Sequence, residues 1–121
     1  MIVEEITPVN TKKCKVVCTE GIGFALYKGE IRRLDIEIGR DISEEEYYVT
    51  IYPILKKRAF ARLMHILERA FKSEKDIVKR LKQSFYPLEA INEAVEKAKK
   101  FGYINDDRYV ERYIYNYKDK Y

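Results

Sequence analysis

The chain has no tryptophan, one histidine, two cysteines and three prolines among its 121 residues, and each scarcity removes a class of function. Zinc asks for four Cys, His or carboxylate ligands. Cys14, Cys18 and His65 supply no second cluster, so no metal and no cofactor is expected. The Cys-x3-Cys spacing puts both sulfurs on one face of an extended segment. Four residues of strand span roughly 13 Å, too far for a disulfide, whose Cα atoms lie about 5.5–6 Å apart. A single histidine with no nucleophile or acid at a recognisable spacing leaves no nucleophile–base pair, and the chain does not read as an enzyme. Gly21-x-Gly23 lacks the third glycine and the crossover helix of a dinucleotide fingerprint, and reads as a turn. No apolar run approaches the ~18 residues of a membrane span, and no signal-peptide pattern opens the chain. The expectation is a cytoplasmic protein of reducing surroundings with no membrane partner.

Charge is abundant. Charged residues make up 36% of the chain, yet the formal net charge is only +4. Its distribution is uneven: residues 1–46 carry a net −3 and the remainder a net +7. Basic charge therefore gathers in the later part, as suits an acidic or nucleic-acid partner.

Residues 1–42 read as a β-hairpin region. Ile2-Val3 and Ile6 form a short run broken by Pro8 and Asn10. Lys15–Thr19 and Phe24–Tyr27 then flank the turn Glu20-Gly21-Ile22-Gly23, where glycine takes positive φ without steric cost. One helical turn is expected over residues 28–34, and residues 35–38 alternate like a strand before Gly39. Residues 43–105 read as helical. Ser43 and Glu46 have capping-box spacing, and the helix they start is expected to end near Ile51, because Pro53 belongs at a first turn. The next helix, over residues 53–70, buries Ala59, Leu63, Ile66, Leu67 and Ala70, flanked by Phe60, Met64 and Phe71. His65 beside that stripe reads as a hydrogen-bonded packing residue. Ser73 caps a third helix to Gln83, with Glu74 and Asp76 at the positive dipole end and Ile77, Val78 and Leu81 as its apolar stripe. Phe85-Tyr86-Pro87 breaks the chain before a helix with the stripe Leu88, Ile91, Ala94, Val95, Ala98 and Phe101, which Gly102 ends. In residues 106–121, Asn105-Asp106-Asp107 caps a last helix over about 107–118. Its face of Tyr109, Val110, Tyr113, Ile114 and Tyr117 is expected to lie against the chain itself or against a second copy.

Several of these segments share a pattern. Ala59-x3-Leu63-x3-Leu67, then Lys72-Ser73-Glu74-Lys75-Asp76-Ile77-x3-Leu81, are followed by Ile91-x3-Val95 and by Phe101-Gly102-Tyr103-Ile104-Asn105-Asp106-Asp107-Arg108-Tyr109. Upstream lie Gly23-Phe24-Ala25-Leu26, Gly39-Arg40-Asp41-Ile42 and Ser43-Glu44-Glu45-Glu46. In order and spacing these resemble the RecX family of regulators of the RecA recombinase. Lys72 stands where the family has arginine, and Asp76-Ile77 where it has Glu-Leu. The resemblance implies tandem three-helix repeats behind a variable N-terminal region. One repeat is complete, over about residues 53–102, and a second begins near Asp106 and has one helix in this sequence. The fold expected is mainly α: a three-helix repeat preceded by a β-hairpin, plus one terminal helix of an incomplete second repeat.

The resemblance also implies a non-enzymatic negative regulator in DNA repair, recombination and the SOS response. Such a protein lodges in the groove of the RecA filament on single-stranded DNA and restrains recombinase, ATPase and coprotease activities. On that reading the basic helix faces meet acidic filament surface or DNA phosphates, with a weak direct affinity for DNA that falls with salt. The candidate contacts are Lys56, Lys57, Arg58, Arg62, Arg69, Lys72, Lys75, Lys79, Arg80 and Lys82. The alternative is a winged-helix-like module that binds DNA without RecA, although no helix carries a concentrated Arg/Asn/Gln set for reading base edges.

Overall fold

The computed structural model describes residues 1–69 and 73–104. The segment expected to form a terminal helix, together with Ala70, Phe71 and Lys72, lies outside the described residues.

Three antiparallel strands open the chain: β1 (Val3–Pro8), β2 (Lys13–Cys18) and β3 (Gly23–Tyr27), in the order β1-β2-β3. The expected hairpin is β2–β3, with Val16 opposite Phe24 and Cys14 opposite Leu26. The first apolar run joins it as a third strand, with Ile6 opposite Val16. Asn10 makes that possible, because its Oδ1 accepts from the Lys12 and Lys13 N–H groups at 2.8 and 2.9 Å and closes the β1–β2 turn. Period-two alternation sends Cys14, Val16 and Cys18 of β2 and Phe24 and Leu26 of β3 into the core. The two thiols are free and on one face, as their spacing requires.

A short helix, α1 (Lys28–Arg33), follows β3 directly. Residues 35–38 form no strand, contrary to their alternation. Ile36 is buried but Ile38 is 67% exposed, so the segment is not a half-buried ribbon. Pairing comes a few residues later. The Gly39 N–H donates to the Val3 carbonyl (2.7 Å), the Val3 N–H to Arg40 (2.9 Å) and the Ile42 N–H to Met1 (2.7 Å). This ribbon pairs with the start of β1 on its free edge, where backbone groups would otherwise be unpaired.

The Ser43 hydroxyl caps α2 (Glu44–Glu46) by accepting from the Glu46 N–H at 3.0 Å. The Glu46 carboxylate does not complete a capping box, since Arg40 Nη2 holds both its oxygens at 2.7 and 2.9 Å. The expected break at Pro53 is absent. Pro53 has no N–H, and its ring would clash with the carbonyl four residues back. The chain accommodates it by widening the preceding turn: Tyr47–Ile51 is a π segment, and the Tyr52 N–H reaches the Tyr47 carbonyl five residues back. Residues 44–69 thus run as one helical rod that ends in α3 (Tyr52–Arg69).

Along that rod Tyr47, Ile51, Leu55, Ala59, Leu63 and Ile66 are buried. They meet α4 (Glu74–Gln83) through Ile77 and Leu81, and α5 (Leu88–Lys100) through Ala90, Ile91, Ala94, Val95 and Ala98. The alanines on α5 and Ala59 on α3 are fully or almost fully buried. Side chains that small let the two helix axes approach closely. At the sheet junction Phe24 lies 5.9 Å from Tyr47, ring centre to ring centre. Two tyrosines then clasp the rod to α5: Tyr48 donates to Glu89 at 3.0 Å and Tyr52 to Glu93 at 2.5 Å. Burial pushes the Tyr47 hydroxyl up to about 12 and raises that of Tyr52, which the bond to Glu93 raises further.

Three side chains stand apart from the periodic reading. His65 is exposed, with Glu68 3.8 Å away as its one ion-pair partner among the described residues, and is not a buried packing residue. Leu88 and Phe101, at the two ends of the α5 stripe, are 55% and 57% exposed. Gly102 (φ 76°) turns the chain after α5 and brings Ile104 back into the core.

Candidate functional site

The cations of α3 and α4 fall into separate groups, set by which face of which helix carries them. Arg58 is half-buried and committed within the fold. Its Nη1 and Nη2 donate to the two carboxylate oxygens of Glu30 on α1 at 2.7 and 2.6 Å. Its guanidinium also lies 4.4 Å from the centre of the Tyr27 ring. Burial would push the Glu30 carboxyl up, but the bonds from Arg58 and from the Tyr27 N–H outweigh it and hold the group below its usual range. The same pair raises Arg58. Arg58 therefore joins three elements, β3, α1 and α3.

Lys56 and Lys57 line a shallow groove between α3 and α5, floored by Pro53, Phe60 and Ala94. Lys56 approaches Glu93 at 3.8 Å, at the outer limit of an ion pair. Lys97 of α5 lies 4.3 Å over the Phe60 ring and completes this groove. Lys97 is not among the sequence candidates, because a groove shared by two helices is not visible in the sequence of either.

Arg62 of α3 meets Lys79 and Arg80 of α4 in a second concavity, with Gln83, Ser84 and, as the one carboxylate among the described residues, Asp76. All three cations are exposed, and none has an ion-pair partner among the described residues. Across α4, Lys75 and Lys82 line a further depression with Val78 and Glu74, and Lys79 and Gln83 border both. Glu74 is held by Lys99 at 2.8 Å. Arg69 is exposed at the end of α3, apart from these groups. Lys72 lies outside the described residues.

Local sequence builds this arrangement. Ser73 caps α4 by accepting from the Asp76 N–H at 3.3 Å, which fixes the helix start and hence which side chains face outward. With Ile77 and Leu81 drawn into the core, Lys75, Lys79 and Lys82 are left on the opposite side at helical spacing. Sequence reasoning also passed over Lys15. Its Nζ sits 4.8 Å over the Phe85 ring, beside an apolar groove formed by Ile22, Tyr47, Tyr48, Tyr86 and Leu88. No group of three or more His, Cys, Asp or Glu side chains suited to a metal occurs among the described residues.

No protein-family model matches the chain. Curated relatives do. It is 36% identical over 81 residues to the regulatory protein RecX of Caldanaerobacter subterraneus subsp. tengcongensis, covering 67% of this chain and 41% of that protein. It is 27% identical over 109 residues to RecX of Bacillus velezensis, covering 90% of this chain and 41% of the relative. With RecX of Clostridium acetobutylicum it shares 30% over 89 residues, 74% of this chain and 37% of that one. The chain thus spans less than half the length of these relatives. Its fold is that of a crystal structure of regulatory protein RecX, with a TM-score of 0.54 at 18% identity, over 95% of this chain and 57% of the other. Motif order, curated relatives and fold agree, and the chain belongs to the RecX family of regulatory proteins.

Proposed function

We propose that this chain is a negative regulator of RecA that acts by binding the RecA–single-stranded DNA filament, not by chemistry of its own. The observation that carries the reading is the basic surface formed by Arg62 of α3 and by α4, whose lysines and arginines have no ion-pair partner among the described residues, in a chain of the RecX family. Such a surface attracts a polyanionic assembly and sets an association rate that falls with salt. Lys57, Arg62, Arg69, Lys75, Lys79, Arg80 and Lys82 are exposed and would face the filament. Arg58 would support that surface from within. The tandem-repeat reading of the chain, with residues 106–121 opening a second unit, belongs to this proposal.

The test is direct. RecA assembled on oligo-dT is titrated with the protein while ATP hydrolysis and co-sedimentation are followed. Binding to the filament with a fall in ATP turnover is expected, weaker at 200 mM than at about 50 mM salt. An unchanged turnover with no co-sedimentation would refute the reading. Tight, sequence-selective binding to bare duplex would instead favour a regulator that acts without RecA.

A further inference from the structure

The two outer edges of the sheet differ. The edge of β1 is paired at Val3 by Gly39 and Arg40, and Pro8 at its end has no N–H to offer. The edge of β3 has neither device among the described residues. Two bonds, from the Cys18 N–H to Ile22 (2.7 Å) and from the Lys28 N–H to Lys12 (2.9 Å), fix which of its residues bond inward. In that register Phe24 and Leu26 exchange bonds with Val16 and Cys14. The N–H and C=O groups of Gly23, Ala25 and Tyr27 therefore point away from β2. The Tyr27 N–H is taken by Glu30 at 2.9 Å. Those of Gly23 and Ala25 have no backbone partner on that side among the described residues.

Gly23 also lines the groove bordered by Lys15 and Phe85, about 430 Å³ in volume. Tyr48 and Leu88 in that groove are 44% and 55% exposed, so it presents apolar surface to solvent. Its wall is strained. Phe85 follows Ser84 at the end of α4 with φ 65°. The Phe85 N–H donates to Lys82 at 3.0 Å and the Tyr86 N–H to Leu81 at 3.3 Å, the two bonds of a helix stop that glycine usually makes. A bulky side chain at that φ is unfavourable and persists where its ring has a use. The core does not supply that use: Tyr86 packs against it, whereas Phe85 turns to the Lys15 ammonium and the groove. Lys15 has no ion-pair partner among the described residues. Nor has Lys13, whose Nζ lies 5.0 Å over Tyr27 on the same face of the sheet. The one carboxylate lining the groove among the described residues, Glu89, already accepts the Tyr48 hydroxyl. The charge left beside the strand edge is positive. An open strand edge, an aromatic wall and free cations together complement an extended acidic chain with a bulky apolar side chain.

We infer that the groove at the β3 edge binds an extended acidic peptide segment of a partner protein. The segment's backbone pairs with Gly23 and Ala25, one bulky apolar side chain seats against Phe85, Tyr48 and Leu88, and a carboxylate meets Lys15. This surface uses none of the cations of α3 and α4, and it does not depend on the filament reading.

The test selects a phage-displayed library of random peptides on the immobilised full chain. The enriched peptide is then synthesised with a fluorescent label and its binding read by anisotropy. A consensus with one aromatic or branched apolar residue beside aspartate or glutamate is expected. Phe85→Gly should weaken binding about tenfold or more and leave the melting temperature unchanged or raised, because glycine suits the positive φ. Lys15→Gln should weaken it roughly threefold, as an exposed charge pair does. Ile38→Ser, at an exposed apolar position outside the groove, should change nothing. Successive N–H groups of an extended peptide point to opposite sides, so two N-methylated versions are compared, each blocking one alternate set. One version should lose about tenfold or more and the other little. Because these peptides leave the protein untouched, they decide the matter even where a variant is unstable. No enriched peptide, a basic consensus, equal effects of the two methylated versions, or unchanged binding by Phe85→Gly would each overturn the inference. So would concentration-dependent dimerisation of wild type that Phe85→Gly abolishes, which would give the edge to a second copy.

Discussion

Arg58→Met tests the claim that Arg58 holds the fold together instead of meeting a partner. Methionine keeps most of the apolar stem and deletes the guanidinium, so packing along α3 is largely retained. What is lost is a two-point ion pair whose side chains are 28% (Arg58) and 13% (Glu30) exposed. An exposed pair contributes about 0–1 kcal/mol, and breaking a fully buried one costs about 3–5 kcal/mol. The partial exposure puts the expected penalty between these, at about 2 kcal/mol, including the cost of leaving Glu30 with only the Tyr27 N–H. For a chain of this size that is a drop of roughly 8 °C in melting temperature. Glu30→Gln and the double variant complete a cycle in which the coupling should be about 1 kcal/mol or more.

The same pair predicts a pH signature. The Glu30 carboxyl is held below its ordinary 4.5 in the folded chain. Its contribution is therefore fully present above pH 4.5 and is lost as pH falls through the lower folded value. The stability gap between wild type and Arg58→Met should be constant near neutrality and shrink once acid protonates Glu30. Melting followed from pH 7 down to about pH 3 by circular dichroism checks this. A loss under 2 °C, or a gap that ignores pH across that range, would refute the reasoning. So would a tenfold loss of filament affinity by Arg58→Met at a temperature where it is fully folded.

Other expectations follow from the same packing. Leu63→Ala opens a cavity where α3 is fully buried and should cost about 2–5 kcal/mol in urea unfolding, with an unchanged m-value. Ser73→Ala removes the α4 cap and should cost about 1 kcal/mol, lowering hydrogen-exchange protection first in α4. Tyr52→Phe deletes a partly buried bond to Glu93 and should cost about 1 kcal/mol by the same unfolding assay. Tyr48→Phe deletes an exposed bond to Glu89 and should be close to neutral. Cys14 and Cys18 are buried, and burial raises the Cys18 thiol, so both should react with a disulfide reagent at pH 7 only as the chain unfolds. Rapid labelling of the native chain would contradict the placement of β2.

Local chemistry was legible in the amino-acid order, because its causes lie within a few residues. Ser43 and Ser73 cap helices whose first N–H groups have no other acceptor. The spacing of Ile77 and Leu81, and of Ala94 and Ala98, selects the buried faces of α4 and α5. The motif order from Gly23 to Tyr109 pointed to the family that the relatives and the fold then showed. Elements that depend on distant residues were not legible. Pro53 signalled a helix boundary, yet packing of Ile51 and Leu55 in one core keeps the rod continuous and moves the adjustment into a π segment. Alternation over residues 35–38 suggested a strand, but the edge of β1 recruits Gly39, Arg40 and Ile42 instead.

The sharpest division concerns the cations. The sequence by itself determined that α3 and α4 carry outward-facing lysines and arginines, because helical period assigns every fourth residue or so to one side. It could not separate Arg58 from Arg62, one helical turn apart. Tertiary structure decided that, by setting Glu30 of α1 against the first and Lys79 and Arg80 of α4 beside the second. An ion pair needs two groups within about 4 Å, a distance that folding sets between residues far apart along the chain. Arg58 was thereby drawn into the fold, while Arg62 was left facing outward with two other positive charges.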